Sequence, residues 1–358
     1  LCHLMAECFA RGGRLVAFGC TPTARSDVRH IAVEFVHPVI VGKRALPAIG
    51  LAGEGGDLAK QVDLIARAED IAIASGQAAR AVELARARGC LTIAFAPAGA
   101  EWEFEPAVPD RYIRQELIET LYHVLWELVH VFFEHRGLLE GRSERRTHDT
   151  GASSFLYPFL AEREHDLEAV LDDVRRSVLM KADEVAALRA QTLGDNADVL
   201  FEAAAAVRER LERGAVVLAL GNGGSATDAM DAVADFRSDA DGRRPWPAID
   251  LTEDPAILTA IANDIGTEAI FLRQVIAYGH EGDVLLALST SGNSVNMIEA
   301  LGEARRRGLA TIAMVGYDGG RVLSERLADH VVVTRSQHIP RIQEAQASAY
   351  HVLRGLVS

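Results

Sequence analysis

The sequence predicts an α/β chain that carries one domain twice, each copy a parallel β-sheet flanked by helices in a Rossmann-like three-layer sandwich, the pair forming a pseudo-dimer. Three observations carry this expectation. Segments of the first third return in the same order near the C-terminus. Gln115 and His123 of "RQELIETLYHVLWELV" recur as Gln343 and His351 of "IQEAQASAYHVLRGLV", 228 positions on in both cases. Within each copy, apolar β-branched runs alternate with amphipathic helical stretches, as expected for a parallel sheet covered by helices. Two turns of the second copy, "GNGGSATDA" and "STSGNS", run from an apolar strand directly into a helix.

Taken in order, "RGGRLVAFG" (residues 11–19) is a helix end leading into a buried strand, and it matches "RGAVVLALG" (213–221). The next short strand, "LPAIGL" (46–51), matches "WPAIDL" (246–251). A helix and third strand, "QVDLIARAEDIAIA" (61–74), match "QVIAYGHEGDVLLA" (274–287). "ELARARGCLTIAF" matches "GEARRRGLATIAM", and the long helix with Gln115 or Gln343 closes each copy. The repeated halves are residues 1–136 and 193–358. Residues 137–155 form a polar linker, "GLLEGRSERRTHDTGASS" at its heart, and a charged helical stretch then runs to about Gln191 without a counterpart before Leu1. The second domain with this leading helix spans 156–358.

A chain of 358 residues is long enough for two domains that each bury a core. Hydrophobic residues make up 49% and charged residues 25%, a globular balance. A formal net charge of −14 argues against broad binding to nucleic acid or an anionic membrane, but leaves room for a small anion in a local pocket. The four cysteines, Cys2, Cys8, Cys20 and Cys90, lack metal-ligand spacing and read as thiols of a reducing compartment. No run is apolar enough to span a bilayer and no signal peptide is visible, so a cytoplasmic location is expected.

The turns hold the first chemical signal. Glycines let the backbone approach a ligand, and the helix that follows offers free N–H groups to an anion. "GNGGSATDA" supplies Asn222, Gly223 and Ser225; "STSGNS" supplies Ser289, Thr290, Ser291 and Ser294. Either turn alone suits a capped helix. Two of them at strand ends of one parallel sheet suit a phosphate monoester. The P-loop lysine and its spacing are missing, so no nucleotide cofactor is expected.

Residues 193–358 closely resemble the sugar isomerase (SIS) domains of phosphoheptose isomerases. "GNGGSATDAM", "PAIDLTEDPAILTAIANDIG", "EGDVLLALSTSGNS", "MVGYDGG" and "RIQEAQASAYHV" carry the resemblance. Residues 1–136 resemble the same domain more faintly. The resemblance implies interconversion of sedoheptulose 7-phosphate and a heptose 7-phosphate, with sites between subunits, a glutamate and a histidine moving the proton, and in some members zinc on His, Glu, Gln and His. It also implies that Asn222 and Asp264 bind sugar hydroxyls.

Matched residue by residue, the first copy holds that His-x-x-x-Glu pattern at His30 and Glu34, with Gln115 and His123 in register. Pairs four apart share a helical face, so these side chains can converge on one divalent ion, zinc or similar, or on one substrate. The resemblance makes Glu34 the base and His123 its acid–base partner. A helical pair facing solvent is the plain alternative for His30 and Glu34 alone. The second copy has Asp231 and Asp235 there, with Gln343 and His351 retained, a weaker set.

The first copy's turns have lost ground in turn. Gln61 lies 213 before Gln274 but Gly89 lies 219 before Gly308, a deficit of six, the length of "STSGNS". Its first turn reads "GCTPTARSD", without Gly-Gly, and no "IANDIG" segment is present. The losses are complementary, which points to one working site composed of both halves: an aldose–ketose isomerase acting through an enediol(ate) on a small-molecule sugar phosphate, assembled as a homodimer, a pseudo-tetramer of domains. Two departures blur the sugar. Tyr112 and Pro340 stand where the family has an aspartate, and Pro38 and Asp239 where it has an arginine, although Arg243 and Arg244 are near. The alternative is a non-catalytic SIS protein that binds a sugar phosphate as a regulator or adaptor. An isomerase of amino sugars or pentose phosphates is a third option.

Overall fold

The central apolar runs become strands buried on both faces, the condition under which parallel sheets occur. A computed structural model describes residues 1–38, 43–134 and 167–357. Contacts divide the chain into two units, Leu1–Glu184 and Val185–Ser358.

The first unit runs α1 (Cys2–Ala10), β1 (Leu15–Phe18), α2 (Pro22–Val36), β2 (Ala48–Leu51), α3 (Leu58–Ile65), β3 (Ile71–Ala74), α4 (Ala79–Ala87), β4 (Leu91–Ala94), a short β5 (Trp102–Glu103) and α5 (Arg111–Glu134). Its sheet is parallel, in the order β2-β1-β3-β4-β5, with Leu15 registered on Ala48 to one side and Ile71 to the other. Alternate residues of β1 serve opposite layers. Leu15 and Ala17 join Phe35, Trp126 and Phe132 under α1, α2 and α5. Val16 and Phe18 join Val62 and Val82 under α3 and α4.

Helix α6 (Leu167–Asp195) contains the division between the units. Its earlier part belongs with the first unit, where Val174 enters the core and Lys181 pairs with the buried Glu127 of α5. The sequence reading gave the whole helix to the second domain, and the repeat offered no guide because its matched segments begin only at residue 193 of that half. The expected linker 137–155 and the first residues of the leading helix, 156–166, lie outside the described residues.

The second unit continues with α7 (Ala197–Glu212), β6 (Val217–Leu220), α8 (Gly224–Arg237), β7 (Ala248–Asp250), α9 (Pro255–Asp264), α10 (Leu272–Tyr278), β8 (Val284–Ser289), α11 (Val295–Arg306), β9 (Ala310–Gly316), α12 (Gly320–Ser324), β10 (His330–Thr334) and α13 (Ile339–Leu356). The sheet order is β10-β9-β8-β6-β7, all parallel. Read from the β7 edge, this is the winding of the first unit: second strand, first, third, fourth, fifth. The expected fold is therefore present twice. In each unit the chain leaves its first strand toward both neighbours, and ligands bind at such a switch point, outside the carboxyl ends of the strands.

Candidate functional site

In the first unit, α2 and α5 bring three of the four expected ligands together. His30 and Glu34 lie one turn apart on α2; both are 2% exposed, and His123 of α5 is fully buried. His30 Nε2 lies 3.3 Å from His123 Nε2 and 3.9 Å from Glu34 Oε1. The ring's other nitrogen is 3.0 Å from the Tyr122 hydroxyl. One ligand atom from each of His30, Glu34 and His123 lies within 4.8 Å of the others. Burial, then the neighbouring His123, holds the His30 pKa well below 6.5, so its imidazole is neutral at pH 7. Two facing ring nitrogens beside a carboxylate can share a proton, or can hold a divalent cation as neutral imidazoles and an anionic oxygen. The donor set therefore fits such an ion. Gln115, two turns before His123, is half-buried, and its amide nitrogen donates to Asp27 Oδ1 at 2.6 Å.

The second unit repeats this geometry with different chemistry. His351 Nε2 of α13 lies 3.5 Å from Asp231 Oδ2 and 3.4 Å from Asp235 Oδ2, both on α8. Tyr350 donates to Asp231 at 3.0 Å, as Tyr122 meets His30. All three groups are buried, and their ligand atoms lie within 4.8 Å of one another. Burial raises the Asp231 pKa; Asp235 adds to that, while hydrogen bonds from His351 and Tyr350 oppose it. Gln343 is buried on the same helix.

The two turns expected to bind phosphate follow the adjacent strands β6 and β8. Gly221 approaches the next helix so closely that a Cβ there would meet the Ser225 carbonyl oxygen at 2.1 Å, and Gly223 has φ +59°. No side chain caps α8, whose first turn holds the buried Ser225. After β8, Ser289 Oγ accepts from the backbone N–H groups of Ser291 and Gly292 at 3.3 and 3.2 Å, which shapes the turn. Thr290, Ser291 and Ser294 are half-exposed, and Ser294 is the N-cap residue of α11 but makes no side-chain cap bond. Asn222 and Asn296 exchange two amide hydrogen bonds of 2.9 Å, tying the two turns together. Asp264 is exposed at the end of α9 and accepts from Asn263.

The first unit closes the equivalent turns. Thr21 caps α2 by accepting from Ala24 N–H at 3.3 Å, and Pro22 removes another donor. After β3, Ser75 donates to Asp27 Oδ2 at 2.5 Å. The six-residue deficit is shared between turn and helix, which the sequence offset alone did not reveal. Ile71 to Ala79 is eight steps against eleven from Val284 to Val295, and α4 has 9 residues against 12 in α11.

Sequence reasoning passed over Tyr122, Asp27, Ser75 and Asn296. A signal existed for two of them: Tyr122 recurs as Tyr350, and Asp27 as Asp228, at the spacings of the neighbouring histidines and of His30 to Asp231.

Comparison with known proteins follows the same lines. The SIS domain family profile matches residues 182–316. The chain is 41% identical over 183 residues to the phosphoheptose isomerase of Nitratidesulfovibrio vulgaris (strain DSM 19637 / Miyazaki F), 51% of this chain and 87% of that relative. Against the phosphoheptose isomerase of Rhodospirillum rubrum it is 42% identical over 166 residues, 46% of this chain and 87% of the relative. The C-terminal domain of glucosamine-fructose-6-phosphate aminotransferase from Francisella tularensis matches 98% of this chain and 85% of its own at a TM-score of 0.61 and 8% identity, a likeness of fold alone.

Proposed function

The chain belongs to the SIS-domain phosphoheptose isomerases, and we propose that it is an aldose–ketose isomerase of sedoheptulose 7-phosphate, its site composed of an acid–base set from the first unit and a phosphate cradle from the second. One observation carries the reading. The first unit buries His30, Glu34 and His123 together but closes its turns, whereas the second keeps open turns and has aspartates where the acid–base pair stood. Within the second unit, Asp235 lies ten residues along α8 from Ser225, about 15 Å at 1.5 Å per residue. That separation favours service of a cradle by an acid–base set from elsewhere.

In this reading Ser225, Ser289, Thr290, Ser291 and Ser294 hold the phosphate by hydroxyl and backbone donors, and Asn222 and Asp264 hold sugar hydroxyls. Glu34 removes the proton from the carbon next to the carbonyl, leaving an enediol(ate), and returns it to the neighbouring carbon. His123 moves the proton at oxygen. A divalent ion such as zinc, held by His30, Glu34, Gln115 and His123, would polarise the carbonyl and hydroxyl oxygens. A coordinated carboxylate is a weaker base, so ion and proton compete for Glu34. The free thiols Cys2, Cys8, Cys20 and Cys90 support a reducing, cytoplasmic setting, and the duplicated domain supports a homodimer.

The test is incubation of the full chain with sedoheptulose 7-phosphate in deuterated water. An aldoheptose 7-phosphate carrying deuterium at C1 or C2 is expected. Binding of the sugar without turnover or exchange would overturn the isomerase reading in favour of a sugar-phosphate-binding regulator.

A further inference from the structure

We propose that Asp27 is a positioning residue, which turns the carbonyl oxygen of Gln115 toward a divalent cation in the first unit and is itself held by Ser75. The inference rests on the cation reading of His30, Glu34, Gln115 and His123 given above.

Asp27 is 2% exposed and uses both carboxylate oxygens. Oδ1 accepts from Gln115 Nε2 at 2.6 Å, and Oδ2 accepts from Ser75 Oγ at 2.5 Å. Distances this short suit hydrogen bonds to an ionised acceptor. An ionised carboxylate only accepts, so the nitrogen of the Gln115 amide must face Asp27 and the oxygen must take the other side. Hard and borderline cations bind an amide through that oxygen. The contact therefore does more than tether α2 to α5: it selects one of two amide orientations, the one a cation can use.

Location supports this role. Asp27 is three residues before His30 on α2, and Gln115 is eight before His123 on α5, so clasp and cluster share one seam between two helices. Ser75 adds a second observation. In the second unit the serine at the end of β8 turns its oxygen to the backbone of its own turn. In the first unit, where that turn is shortened, the serine after β3 turns to Asp27 instead. A serine of the shortened turn thus supports Asp27. Groups that orient a metal ligand contribute roughly 10- to 100-fold to affinity.

The experiment is cobalt binding to full-length protein first stripped with chelator, followed by metal content and by the visible absorption of Co²⁺. Asp27→Asn preserves size but presents an amide to Gln115, and it should weaken the His30-dependent cobalt by about 10- to 100-fold. Ser75→Ala should weaken it less. Adding Gln115→Glu to Asp27→Asn should restore binding, since the new amide can donate to the new carboxylate. A purely structural role for Asp27 predicts no such rescue. Cobalt that is lost in His30→Ala but undiminished in Asp27→Asn overturns the positioning role, as does a double variant without recovery. Cobalt indifferent to His30→Ala overturns the cation site itself.

Discussion

His30 and Asp231 occupy equivalent places, yet burial acts on them with opposite consequences for pH. Burial lowers the His30 pKa because it disfavours the imidazolium, so the stability tied to its neutral form is present above the unfolded value near 6.5 and is lost as pH falls below it. Burial raises the Asp231 pKa, so its stability is present below the unfolded value of 3.8 and is lost as pH rises through the folded one. In chelator-treated protein, thermal midpoints measured from pH 7.5 down to 5 should fall less steeply in His30→Gln than in the wild type. Asp231→Asn should gain on the wild type as pH rises. Parallel curves for all three proteins would contradict the assignment. At the same scale, Ser291→Ala should raise the sugar-phosphate dissociation constant while leaving the rate of the bound complex nearly unchanged, because it trims the proposed cradle and not the proposed acid–base set. Equilibrium binding and single-turnover rates separate the two.

The turns decide the chemistry of the elements they join. Gly221 has no room for a side chain, since a Cβ would lie 2.1 Å from the Ser225 carbonyl. Gly221→Ala should displace the start of α8 and abolish the thermal shift that sugar phosphate gives, with the β8 turn intact. Retention of the shift would show that the first turn does not hold the ligand. Much of this level was legible beforehand. Two like parallel sheets followed from the repeat, and "GNGGSATDA" and "STSGNS" lie at strand ends, where glycine and hydroxyl residues favour a turn. Other features could not be read. A deficit of six residues does not say whether a turn or a helix was shortened, and here each lost three. Gln115 lay in register with a ligand position, but register does not reveal the carboxylate of Asp27, 88 positions away in the chain. Most of the leading helix α6 lies ahead of the matched repeat, so the repeat did not assign its ends.

For the whole molecule, duplication explains why two like units differ where the chemistry lies. Each unit keeps a strand order it needs to fold, whereas the proposed sharing of one site would let each half lose what the other supplies. The first unit kept two histidines and a glutamate and closed its turns; the second kept open turns and a His–Asp–Asp group. The most direct measurement is deuterium exchange into sedoheptulose 7-phosphate by Glu34→Gln and Asp235→Asn proteins, each with sugar binding measured beside it. Glu34→Gln should bind the sugar but lose at least about a hundredfold in exchange, the usual scale for a missing general base, while Asp235→Asn stays close to wild type. Exchange abolished in Asp235→Asn and normal in Glu34→Gln would contradict the division of labour and assign the chemistry to the second unit alone.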